Sequence, residues 1–90
     1  MCLTFRNQDP QYDAWRHANP GGFVFNRYGG RNDTMNVMHR RADCDHLNRL
    51  ADAGHRTDSY GKSCCLIQTC IENEANGFRA GRGWVWCSDC

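Results

Sequence analysis

The sequence predicts a small α+β domain with a β-hairpin in a short antiparallel sheet, two helices and a carboxyl-terminal Cys-x-x-Cys knuckle. Three observations predict it. Phe23 to Arg27 alternates like a strand and is answered by an extended run from Thr34 to His39. Two stretches, Pro10 to Ala18 and Ser63 to Asn76, carry apolar residues at helical spacing. The chain then runs through Trp84-Val85-Trp86 into Cys87-Ser88-Asp89-Cys90.

The first helix is expected from Pro10 to Ala18. Asp9 suits the N-cap, and Pro10 suits the first helical position, where its missing N–H costs nothing. Tyr12, Trp15 and Ala18 fall on one face. Asn19-Pro20-Gly21-Gly22 ends it, because the residue before proline avoids the helical region. Phe23 and Phe25 then share one face of a strand and Val24 takes the other. Tyr28-Gly29-Gly30-Arg31-Asn32-Asp33 is rich in turn formers, giving a hairpin with an arginine-bearing tip. A helical turn is expected after Cys44 through Leu47 and Leu50, a loop over Ala53 to Asp58, and a strand beginning near Tyr60. In the second helix Leu66, Ile67, Cys70 and Ile71 form one apolar stripe, and Gly77 stands where a helix commonly stops.

Ninety residues make one domain, 1–90, with little interior to bury. Mean hydropathy is low, so a chain of this size calls for disulfides, a metal or a partner. Seven cysteines answer that need. An odd count fits a full disulfide framework poorly. Met1 to Arg6 lacks the charged-then-apolar order of a secretory signal, and no apolar run reaches the about 20 residues of a membrane helix. The expected compartment is therefore the cytoplasm, where clustered cysteines hold metal or do catalysis more often than they pair. Net charge is +1, which excludes a strongly basic domain. Residues 27–62 nevertheless carry seven basic side chains against five acidic ones.

Cys87-x-x-Cys90 is the most specific signal. Two intervening residues let both thiolates bend toward one ion, as in a zinc knuckle. A redox pair of this spacing would precede a helix, which is not expected here, so metal binding is the favoured reading. Two further ligands are needed. His39 and Cys44 supply them from the end of the hairpin, with four residues between for a turn. The alternative pairs Cys44 with Cys64 or Cys65 at the expected helix start. Cys70 reads as a buried apolar residue, Cys2 as a terminal residue without a role, and His46 as a rival of His39. A closed shell of this kind makes the zinc structural, since no position is left for water.

His39-x4-Cys44, Tyr60-x-Lys62-x-Cys64, a helix and the final Cys87-x-x-Cys90 together resemble the small zinc-binding domain of the Ada repair protein and its relatives. Tyr12-x-x-Trp15 with Asn19-Pro20-Gly21-Gly22-Phe23-Val24 and His39-Arg40 is also similar to an uncharacterised bacterial domain family with the same ending. The first resemblance implies one zinc held by a strand-borne pair and a later Cys-x-x-Cys, with contact to DNA in several members. It does not extend to methyl transfer, which that family performs at a four-cysteine site.

Function is then expected on the surface the zinc organises. Arg27, Arg31, Arg40, Arg41 and Lys62 would contact the phosphates of DNA or RNA, and Tyr28 or Trp84 would stack on a base. The alternative is a protein-interaction module anchored by Tyr28, Phe78, Trp84 and Trp86. A third reading, a His-Asn-His nuclease using His39, His46, Asn48 and His55, would need a second histidine on a helix, and His55 follows Gly54 in a loop.

Overall fold

The computed structural model describes residues 2–27, 36–47, 57, 61–78 and 83–90. Its elements are β1 (Leu3–Phe5), α1 (Asp9–Ala18), β2 (Phe23–Arg27), β3 (Val37–His39), β4 (Gly61–Cys65), α2 (Gln68–Gly77) and β5 (Val85–Trp86), with a helical turn at 45–47. The five strands form one sheet in the order β1-β4-β2-β3-β5. Every neighbouring pair is antiparallel except β3 with β5, which is parallel. The fold is α+β, as the sequence indicates.

The expected first helix is present with one change at its start. Gln8 takes the cap position and Asp9 is the first helical residue. The Asp9 carboxylate accepts from the backbone N–H of Thr57 at 2.8 Å and from the Thr57 hydroxyl, tying a distant loop residue to the helix. Thr57 Oγ1 in turn accepts from the Gln8 N–H at 2.8 Å. At the other end Gly22 has a packing reason to be glycine: a Cβ there would lie 2.5 Å from Trp15.

The hairpin of β2 and β3 is present, in register Val24↔His39 and Phe25↔Met38. Its tip, residues 28–35, lies outside the described residues, as do Asn48, Leu50, His55 and Tyr60.

The main correction concerns Ser63 to Cys65. They belong to β4, and the helix begins five residues later, at Gln68. The reason is tertiary. β4 is flanked by β1 and β2, so its backbone groups find ladder partners on both edges and all five residues are buried. Cooperative pairing of this kind outweighs a helical pattern read locally. As a result Leu66 and Ile67 are not on a buried stripe; they are 65% and 57% exposed, while Ile71 and Ala75 form the buried face of α2. The strand β1 was not anticipated. Cys2, expected to have no role, forms a disulfide with Cys65 and fastens this edge strand to β4.

Alternation along the strands divides the interior in two. One layer joins Phe5, Tyr12, Val24 and Cys64 to Ala42, Cys44, Leu47 and Cys87, so α1 and the 40–47 loop cover that face. The other joins Phe25, Met38 and Cys65 to Ile71 and Ala75 of α2, with Phe78, Trp84 and Trp86 at its margin. Phe25 and Phe78 meet edge to face at 5.9 Å, as do Trp84 and Trp86 at 5.2 Å.

Candidate metal centre

The parallel pairing of β3 with β5 builds the site. Met38 pairs with Trp86, and the Cys87 N–H donates to the Met38 carbonyl at 2.8 Å, so His39 and Cys87 emerge side by side. The turn after β3 then folds back. The Asp43 N–H donates to the Pro20 carbonyl at 3.3 Å, and Arg16 Nε donates to the Ala42 carbonyl at 2.7 Å. Ala42 is fully buried, which anchors the loop to α1 and delivers Cys44 to the same corner. A reverse turn through Ser88 and Asp89 brings in Cys90.

The outcome is a cluster of His39, Cys44, Cys87 and Cys90, whose ligand atoms all lie within 4.8 Å of one another. These four residues could hold a metal ion. The geometry fits one: Cys44 Sγ and Cys87 Sγ are 3.9 Å apart, and Cys90 Sγ is 4.0 Å from His39 Nδ1. Two sulfurs bound at about 2.3 Å to a tetrahedral ion are separated by about 3.8 Å. The sulfurs are too far apart for a disulfide, whose bond is about 2.0 Å.

Two of the cysteines sit in matching turns. The backbone N–H of Asp89 donates to Cys87 Sγ at 3.4 Å, and the backbone N–H of His46 plays the same part for Cys44. Each amide is two residues beyond its sulfur and favours the thiolate, the form a metal needs. Burial penalises charge on these thiols. Desolvation pushes the Cys44 thiol up to about 12 and raises Cys87 as well, and the neighbouring Cys90 raises both. Burial, followed by the nearby His46, Lys62 and Arg16, pushes His39 down to about 3, so its imidazole is neutral and ready to coordinate. A divalent ion would reverse the penalty on the thiolates.

The other sequence candidates separate clearly. Cys65 is taken by the disulfide, and Cys64 is buried on β4 outside the cluster, so neither joins Cys44 at the centre. Burial holds the Cys64 thiol up at about 12. His46 is displaced from the four-residue cluster but meets Asp89, its Nδ1 3.2 Å from Oδ2. These two were not foreseen as a pair, although each stands two residues after a ligand cysteine. Of the basic residues, Arg40 is exposed and lies over the Trp86 ring at 4.1 Å. Arg41 makes two 2.9 Å bonds to the Asp43 carboxylate. Arg27 bonds to Thr4, Ser63 and Glu74 and stacks on Phe78 at 4.6 Å. Lys62 is buried, with Nζ 2.8 Å from Asn26 Oδ1. Arg31 lies outside the described residues. No helix among the described residues is long and apolar enough to cross a membrane.

No family model, curated protein or solved structure matches the chain.

Proposed function

We propose that this protein is a structural-zinc domain that serves as a binding module, with a protein as its partner. The observation that carries the zinc is the convergence of His39, Cys44, Cys87 and Cys90 from three separate parts of the chain. Three thiolates and one imidazole suit zinc among the common divalent ions, and four protein ligands close its tetrahedral shell. Such an ion organises the fold and leaves no position for a reacting water. This is also the expectation carried by the Ada-like resemblance.

Two features favour a protein over nucleic acid. Leu66 and Ile67 present adjacent apolar side chains to solvent, just past the end of β4. Meanwhile the basic set is largely engaged: Lys62 is buried, Arg27 is tied to β4 and α2, and Arg41 is matched by Asp43. Nucleic acid retains a narrower footing in Arg40, stacked on Trp86 next to the ligands.

The test has two arms. Purified protein should contain one zinc per chain and lose its cooperative fold when a strong chelator removes it. Retention of a cooperative fold without metal would end the zinc reading. Fluorescence anisotropy at low salt with single- and double-stranded DNA and RNA should show no binding. Binding that weakens steeply with added salt would instead establish phosphate contact.

A further inference from the structure

We propose that the same corner of the molecule takes a second divalent transition-metal ion, held by His46, Asp89 and the sulfur of Cys87 as a shared thiolate. The proposal rests on the first centre, because only a metal-bound Cys87 is a thiolate ready to bridge.

The three donor atoms lie within 4.8 Å of one another, and Cys87 is common to both clusters. His46 Nδ1 and Asp89 Oδ2 are 3.2 Å apart. Ligands at about 2.0–2.1 Å from one tetrahedral ion stand about 3.3–3.4 Å apart, so the pair is already spaced to chelate. Imidazole, carboxylate and thiolate are all ligands for a zinc-like ion.

Charge argues the same way. Three thiolates around one divalent ion leave a net −1, and the Asp89 carboxylate beside them makes −2. A second divalent ion neutralises the whole. The site also differs from the first in access. His39, Cys44 and Cys87 are buried, whereas the side chains of His46 and Asp89 are 40% and 39% exposed. Next to Asp89 an open depression is lined by Arg41, Asp43, Cys44, Asp45 and Cys90; Arg41 and Asp43 match one another there, and Asp45 adds a carboxylate that favours a cation. With three protein ligands, the ion keeps at least one coordination position for water or an anion. It would therefore be exchangeable and reactive where the first is neither.

The competing use of His46 and Asp89 is as a brace, an ion pair that clips the two cysteine turns together. Metal stoichiometry distinguishes them. Reduced, metal-stripped protein is titrated with Co(II), following thiolate-to-cobalt charge transfer and the paramagnetic resonance signal, with Zn(II) counted separately by equilibrium dialysis. The expected result is a plateau at two ions per chain. The resonance signal should rise to one equivalent and then fall, as a thiolate-bridged pair couples. Asp89→Asn and His46→Gln should each stop at one equivalent while keeping the charge-transfer band of the first. A wild-type plateau at one ion, with or without weakened first-site binding in the variants, would assign the pair to bracing and overturn the proposal. A second equivalent that survives both substitutions would also overturn it. Absence of any thiolate band in wild-type protein would remove the first centre as well, a distinct failure.

Discussion

The two faces of the sheet are completed by different means. On the α2 side, cohesion is conventional: Phe25, Met38, Ile71 and Ala75 are buried together, aromatic rings pack edge to face, and the Cys2–Cys65 disulfide secures the margin. On the α1 side, the interior beneath the 40–47 loop is made of His39, Cys44 and Cys87, with Leu47 and Ala42 beside them. Apolar burial, together with that disulfide, serves the first layer. The second also contains groups that burial penalises, and a bound cation would make those groups partners. A small chain of this kind would supplement its apolar layers with a coordination shell.

The sharpest way to break the comparison is to remove a member of the proposed metal site. Cys44→Ser should abolish metal binding and cooperative folding together, read by metal content and circular dichroism. Structural zinc contributes on the order of 10–16 kcal/mol, as much as a typical domain's whole stability of about 5–15 kcal/mol. Retained cooperative melting in this variant would show that the α2 layer suffices alone.

Acid and alkali approach the same layer by titration. His39 is held down to about 3 in the folded protein against its ordinary 6.5, so the unfolded chain binds more protons in that window. Stability should be fully present above pH 6.5 and fall as pH drops toward 3. Cys64 has the opposite sign: held up at about 12 against 9.0, it keeps its proton only when folded. Stability from it is present below pH 9 and lost as pH rises toward 12. Thermal melts across pH should therefore plateau between about 6.5 and 9; a midpoint still rising as pH falls below 6.5 would contradict the burial of His39.

On the α2 side the expected effects are smaller and leave the metal alone. Ile71→Ala should cost about 2–5 kcal/mol in denaturant melts while metal stoichiometry stays unchanged. Cys2→Ser should cost about 2–4 kcal/mol, since the bond closes a long loop, with sequence separation 63. Metal loss in either variant would mean the two layers are not independent. The smallest effect belongs to the surface: Leu66→Ser with Ile67→Ser should change stability by less than about 0.5 kcal/mol per substitution. A larger loss would place these side chains inside the fold and remove the proposed partner surface.

The gathering of His39, Cys44, Cys87 and Cys90 was partly legible, with Cys64 and Cys65 as rivals, because much of their chemistry is local. Cys87-x-x-Cys90 can bend to one ion on its own, and His39 and Cys44 flank a turn that any hairpin end would make. The hairpin and α1 were legible for the same reason, through alternation and punctuation. What could not be read was long-range pairing. Cys64 and Cys65 extend the apolar stripe of a helix, and only the presence of β1 and β2 on either side explains why they are a strand. Cys2 meets Cys65 through that same register. Lys62 looked like a surface cation because nothing nearby in sequence announces Asn26, its cross-strand partner on β2. Arg41 and Asp43 are the contrary case, an ion pair between residues only two apart in sequence.

The strand β5 is only two residues long, and it lies against β3 where the outermost rung of the sheet runs parallel. Two rungs are a feeble zipper, and the proposed metal ligands just beyond them would act as its pull-stop. Chelation should let β5 peel away, uncovering a row of unsatisfied amides and carbonyls along β3 beside the freshly bared Met38. Metal starvation would then do more than soften the protein. It would turn one side of it adhesive, and loss of the ion at high concentration should end in precipitate before it ends in a dispersed coil.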